Sequence, residues 1–255
     1  MSSAPAAPAP AASDVDFAAR CYDLTKVYGG DGNDVVAVDD VTLGFPRATF
    51  TAVMGPSGSG KSTLMHCIAG LDTPTSGRVF IGDREITGLG DADLTRLRRD
   101  RLGFVFQAFN LVPVLTAREN LVLPAKLGGD EPEAAWVDEV VGVLGLGDRL
   151  DHRPSELSGG QQQRVAVGRA LITRPDLVLA DEPTGNLDSQ SSDAVMSFLA
   201  DAVERLGQSV VMVTHDPWAA SYSSNVVFLR DGAVEGELAA PTTDGVLDKM
   251  KNLGA

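Results

Sequence analysis

Gly55-Pro56-Ser57-Gly58-Ser59-Gly60-Lys61-Ser62 has the residue types and spacing of a phosphate cradle, Gly-x4-Gly-Lys-Ser/Thr. The glycines let the backbone wind so that successive N–H groups point inward at phosphate oxygens. A helix starting there adds partial positive charge. Lys61 is expected to reach the β and γ oxygens of a nucleotide, and the Ser62 hydroxyl to ligate Mg²⁺. Thr63, next in line, completes the expected nucleotide-binding set of this stretch. A second constellation lies at Asp181-Glu182, which ends the apolar run Leu177-Val178-Leu179-Ala180. Asp181 would hold Mg²⁺ through water and Glu182 would polarise an attacking water. Such a pair alone reads equally as a solvated loop; beside a phosphate cradle it reads as metal and base.

Both constellations need a particular framework. Residues 35–43 and 49–54 are strand-like runs separated by a break at Phe45-Pro46, and residues 62–69 have helical spacing. Residues 77–81 and 104–107 read as strands. Residues 116–146 are helical in period, with breaks at Pro124, Gly128-Gly129 and Pro132. A helix over 161–172 ends before Pro175, residues 189–206 form an amphipathic helix, and 209–214 is a buried strand. Residues 226–230 and 233–238 flank Asp231-Gly232 as a hairpin. Strands alternating with helices predict an α/β fold with a mainly parallel sheet. The acid pair then sits at the carboxyl end of a strand, where open α/β sheets place their chemistry. Antiparallel strands lead the chain, and a helical insertion over about 108–156 decorates it. Residues 1–16, rich in Ala and Pro, are expected to be a disordered tail, with one domain over 17–255.

Composition narrows the classes. The chain has 255 residues, 44% of them hydrophobic, and a formal net charge of −14. That charge argues against non-specific nucleic-acid binding and against electrostatic docking on anionic lipid. Cys21 and Cys67 are the two cysteines, too few for a disulfide framework. A reduced compartment is the simpler reading, with a single bridge left open. No apolar run reaches the roughly 18 residues that would cross a bilayer.

A third motif decides the family. Leu157-Ser158-Gly159-Gly160-Gln161 joins an N-cap hydroxyl to two glycine amides at a helix start, which makes a second anion site. The order of cradle, Gln107, Leu-Ser-Gly-Gly-Gln, acid pair and His215 resembles the ATP-binding cassette of ABC transporters, over residues 17–238. The implied fold is a P-loop NTPase core with an antiparallel β subdomain and a helical subdomain. The implied activity is ATP hydrolysis, with ATP and Mg²⁺ as cofactors. By the same resemblance, Tyr28 is placed like the aromatic that stacks on adenine, with a core or surface tyrosine as the plainer reading. Gln107 looks like the glutamine that touches Mg²⁺ or the water. Asn186-Leu187-Asp188 looks like the D-loop at the dimer contact, and also fits an ordinary capping turn. His215 looks like the switch histidine that contacts the γ-phosphate. Glu182, His215 and Gln107 are therefore the catalytic candidates, and Ser62, Gln107 and Asp181 the Mg²⁺ candidates. Residues 157–161 are expected to grip the ATP of a partner chain, so a second cassette subunit is implied.

The wording around Gly103–Leu111 and Glu182–Asp188 resembles the macrolide-exporter and lipoprotein-release group, whose cassettes pair with FtsX-like permeases. The implied role is export or release driven from the cytoplasmic face of the membrane, with membrane contact through the permease and no nucleic-acid partner. Two other readings stay open: a cassette driving a non-transporting permease that regulates a cell-envelope enzyme, and a soluble DNA-maintenance ATPase. Phe109, Leu111, Val112, Val114 and Leu115 fit either a docking groove or core packing. The run Arg96, Arg98, Arg99 and Arg101 reads as a solvated helix face.

Overall fold

The computed structural model describes residues 16–29 and 33–253. The expected tail, apart from Asp16, lies outside the described residues. In chain order the elements are β1 (Phe17–Tyr28), β2 (Val35–Pro46), β3 (Phe50–Met54), α1 (Lys61–Ile68), β4 (Ser76–Ile81), β5 (Arg84–Glu85), α2 (Asp91–Arg101), β6 (Leu102–Phe106), α3 (Ala117–Gly128) and α4 (Ala134–Leu144). They continue with α5 (Gly159–Leu171), β7 (Leu177–Asp181), α6 (Ser189–Leu206), β8 (Val210–Val213), α7 (Pro217–Ala220), β9 (Asn225–Arg230), β10 (Ala233–Ala239) and α8 (Thr243–Leu253).

The strands form two sheets. One has the order β10-β9-β3-β8-β7-β6, parallel throughout except for the antiparallel edge β10. Period-two alternation splits its side chains between two cores. Met54, Val178, Ala180, Met212 and Phe228 enter the core shared with α3, α4, α5 and α6. Val53, Leu177, Leu179, Val213 and Leu229 enter the core shared with α1 and the second sheet. That second sheet, β2-β1-β4-β5, is antiparallel. The central sheet is thus a middle layer, and the carboxyl ends of its parallel strands all face one rim.

Three sequence readings are corrected. Phe45-Pro46 does not break the strand: β2 runs through Pro46, which pairs with Phe17. A proline is tolerated there because it is the last residue of an edge strand and owes no further ladder bond. Pro124 does not break the helix either, and lies inside α3. The burial of Ala117, Leu121, Val122 and Ala125 on one face outweighs the one hydrogen bond that proline removes. The arginine run is only partly solvated: Arg98 donates to the Gly70 carbonyl at 2.6 Å, and Arg101 pairs with the half-buried Asp176. Cys21 and Cys67 are free and buried, and burial pushes their thiols up to about 12 and about 11. No bridge joins them.

Candidate functional site

The cradle is the turn from β3 into α1. Gly60 caps α1 with φ of +94° and without a capping side chain. A Cβ at Gly60 would stand 2.0 Å from the Ala37 carbonyl oxygen, so only glycine fits. Leaving the cap without a side chain keeps the first-turn amides of Lys61, Ser62 and Thr63 open to an anion. Lys61 Nζ arches back over the loop, 2.9 Å from the Gly55 oxygen and 2.8 Å from the Pro56 oxygen. Burial lowers the Lys61 pKa, while the charges of Glu182 and Asp181 oppose that fall.

The acid pair sits where β7 ends. Asp181 is the last strand residue and Glu182 takes a left-handed φ of +47°. That turn lets neighbouring carboxyls share one rim, which a continuing strand would forbid. Burial, reinforced by the Glu182 charge, raises the Asp181 pKa, with His66 and Lys61 partly opposing. A half-buried carboxyl held up in this way, together with the exposed Ser62 hydroxyl in the first turn of α1, fits a divalent cation.

His215 Nδ1 lies 2.6 Å from Glu182 Oε1, and Thr214 Oγ1 donates to Glu182 Oε2 at 3.3 Å. Both carboxylate oxygens are therefore aimed. His215 is largely exposed, leaving its far nitrogen free to meet a ligand. Gln107 follows β6 and exchanges two hydrogen bonds with Asn186: Nε2 to Oδ1 at 3.2 Å, and Asn186 Nδ2 to the Gln107 carbonyl at 3.1 Å. Gln107, Glu182, Asn186 and His215 are thus brought to one rim. Tyr28 ends β1, 41% exposed, with its hydroxyl on Asp72 at 2.5 Å.

The second anion site expected from the sequence falls at the start of α5. Ser158 caps it: Ser158 Oγ accepts from Gln161 N at 3.3 Å, and Gln161 Oε1 accepts from Ser158 N at 2.9 Å. Gly160 is buried so closely that a Cβ there would stand 2.7 Å from Ser191 Oγ. Leu187 packs beside Gly159, and Asp188 caps α6 through Ser191 N at 2.9 Å. The D-loop and capping-turn readings of 186–188 are therefore compatible. Among the described residues no hydrogen bond joins the Ser158 cap to the Gly55–Thr63 loop. One chain carries two separate helix starts, at Gly60 and Ser158, at the positions expected to meet anions.

Three positioning residues were not among the sequence candidates. Gln163, fully buried on α5, donates to the Phe106 carbonyl at 3.2 Å and the Pro183 carbonyl at 2.7 Å. It ties the signature helix to the strand before Gln107 and the turn after Glu182. Arg169 donates to the carbonyls of Asn110 and Phe109 at 2.5 and 3.0 Å, pinning the same loop. Thr214 is the third. Gln163 lies on the same helix face as Gly160 and Val167, which was its one sequence signal. Of the expected groove, Leu111 packs on the core, whereas Val114 is 72% exposed.

Comparison with known proteins identifies the family. Residues 38–185 match the family model described as ABC transporter. An uncharacterized ABC transporter ATP-binding protein, MJ0796 of Methanocaldococcus jannaschii, is 43% identical over 225 residues, 86% of this chain and 95% of that one. The lipoprotein-releasing system ATP-binding protein LolD of Geobacter metallireducens is 45% identical over 214 residues, 83% of this chain and 95% of that one. The macrolide export ATP-binding/permease protein MacB of Marinobacter nauticus is 43% identical over 220 residues; these are 86% of this chain but 34% of that longer protein. A solved dimeric structure of MJ0796 in a post-hydrolysis state, bound to ADP and Pi, superposes with a TM-score of 0.76 at 40% identity, over 88% of this chain and 99% of that one. The chain belongs to the ABC transporter family, as one of its ATP-binding cassettes.

Proposed function

We propose that this chain is the ATP-hydrolysing subunit of an ABC transporter, and that two copies close around two ATP molecules to drive a separate permease. The observation that carries the reading is the pair of helix starts at Gly60 and Ser158, which no hydrogen bond joins among the described residues. One ATP has use for one γ-phosphate cradle. A head-to-tail pair uses both, with the cradle of one copy facing the Ser158 cap of the other. The dimeric state of the MJ0796 structure supports this arrangement.

In the closed pair, Gly55, Ser57, Gly58, Ser59 and Gly60 present amides to the phosphates, and Lys61 neutralises the β and γ oxygens. Pro56 and the flanking glycines hold the shape of the turn. Ser62, Asp181 and Gln107 would hold Mg²⁺, which supplies charge neutralisation on the phosphate oxygens. Glu182 orients the attacking water with the carboxylate edge that His215 and Thr214 leave in place. His215 presents its outer nitrogen to the γ-phosphate. Tyr28 stacks on the base. The partner's signature segment, Leu157 to Gln161, adds amides to the γ-phosphate, and the D-loop residues Asn186, Leu187 and Asp188 lie at the contact. ATP can close the pair only by binding the closed state better than the open one.

The relatives named for macrolide export and for lipoprotein release support a role in export or release for this cassette. We infer a permease of FtsX-like type, with the cassette peripheral on the cytoplasmic face. Among the described residues no helix is long and apolar enough to cross a membrane.

Ser158→Arg tests the shared site. A bulky cation at the exposed cap leaves the cradle untouched but blocks the approach of a partner's nucleotide. ATP affinity is expected to stay at the wild-type value in equilibrium binding, with Mg²⁺-dependent hydrolysis reduced at least tenfold by lost transition-state charge stabilisation of about 2–4 kcal/mol. Unchanged hydrolysis would overturn the reading.

A further inference from the structure

Three side chains lock together at the end of β1. Lys26 Nζ lies 2.6 Å from Asp72 Oδ1 and 2.8 Å from the Thr73 carbonyl oxygen. Tyr28 donates its hydroxyl to the other oxygen, Asp72 Oδ2, at 2.5 Å. The Lys26 ammonium also stands 4.7 Å from the centroid of the Tyr28 ring. One carboxylate therefore holds both a cation over the ring and the ring's own hydroxyl.

Asp72 is itself held. The backbone N–H groups of Leu71 and Asp72 both donate to the His66 carbonyl, in the last turn of α1, at 2.9 and 3.2 Å. Thr75 closes the loop on β1: its hydroxyl takes the Val27 N–H at 3.0 Å, and its own N–H donates to the Thr25 carbonyl at 2.8 Å. The tyrosine is thus strapped to the far end of the helix whose start is the phosphate cradle. The phenol also feels the Thr63 side chain in the first turn of the same helix, so the ring is held on α1 rather than left to the free swing of an exposed side chain.

The charges agree. Burial would raise the Asp72 carboxyl, but the hydrogen bonds from Lys26 and Tyr28 hold it below its usual range. The hydrogen bond to Asp72 raises both the Lys26 ammonium and the Tyr28 phenol. At neutral pH the cluster is an anion between a cation and a neutral phenol, and each partner favours that state.

We propose that Asp72, acting with Lys26, is a positioning residue that fixes the Tyr28 ring for the adenine base and so sets the base-dependent part of nucleotide affinity. The proposal rests on Tyr28 as the stacking aromatic. Lys26 stands over one face of the ring, and the tyrosine as a whole is 41% exposed. An exposed tyrosine without this anchor loses rotamer freedom only when the base arrives, and affinity falls by that cost.

The test compares ATP with inorganic triphosphate, both with Mg²⁺, by equilibrium competition binding. Triphosphate meets the cradle but has no base. Tyr28→Phe, which loses the anchored hydroxyl, and Asp72→Ala are each expected to weaken ATP by about threefold to tenfold, the worth of one lost hydrogen bond, with triphosphate affinity unchanged. The double variant is expected to be no weaker than the weaker single one, because both remove the same contact. Should Asp72→Ala unfold, Asp72→Asn carries the same comparison. Equal loss for ATP and triphosphate, loss for neither, or additive loss in the double variant would overturn the proposal. Tyr28→Ala judges the underlying reading separately. If it leaves ATP affinity unchanged, stacking itself fails; if it weakens ATP while Asp72→Ala does not, stacking stands and the anchor fails.

Discussion

Glu182→Gln is expected to retain ATP binding and to cut turnover by about two to four orders of magnitude, the usual worth of a positioned general base. The substitution preserves shape. A glutamine oxygen can still meet the Thr214 hydroxyl, 3.3 Å from Glu182 Oε2, and the amide can still face His215 Nδ1, 2.6 Å from Oε1. The left-handed turn at φ +47° is no harder for Gln than for Glu. What is lost is the negative charge that draws a proton from water. Binding does not depend on that charge, and its removal relieves repulsion with the γ-phosphate. The variant should therefore accumulate as an ATP-bound dimer, seen as a shift to twice the mass in size-exclusion chromatography with light scattering when MgATP is added. Wild-type hydrolysis by this variant would refute the assignment of Glu182 as the group that activates water.

Lys61→Ala should act on the other side of the balance. Lys61 is the cation of the cradle, held over it by the Gly55 and Pro56 carbonyls at 2.9 and 2.8 Å. Its charge-assisted hydrogen bonds to phosphate are worth about 1.5–3 kcal/mol, so ATP should bind about tenfold to more than a hundredfold more weakly. AMP, which has no β or γ oxygens, should bind as it does to the wild type. The AMP comparison separates loss of the ammonium from collapse of the loop, since collapse would weaken both ligands. Unchanged ATP affinity would remove Lys61 from the cradle.

Much of the site was legible because its parts are contiguous. The cradle, the acid pair and the Leu157–Gln161 signature each place their chemistry within a few residues, so spacing alone reports the geometry. The central sheet was legible for a related reason: runs such as Leu177–Ala180 are apolar on both faces, as a middle layer requires. The parts that escaped depend on pairing across distance. Asp72 meets Tyr28 and Lys26 only because β1 packs beside the exit of α1. Gln163 looks like one more polar residue in Gln161-Gln162-Gln163, and only its buried face on α5 shows it bonded to two strand ends. Strand β1 itself was hidden because register shifts, one of them between Cys21 and Leu24, interrupt its alternation. Pro46 and Pro124 were misread as breaks because local preference was weighed without the edge position of one and the buried face of the other. The helical insertion over 108–156 and the single domain over 17–255 remain the organisation we propose for the chain.

The central claim is that one nucleotide is held between two copies, and ATPase rate per chain across a dilution series tests it most directly. Sedimentation at each concentration gives the monomer fraction in MgATP. The account predicts that the rate per chain falls in proportion to the dimer fraction and approaches zero where only monomer remains. A monomer that hydrolyses ATP at the undiluted rate would contradict it.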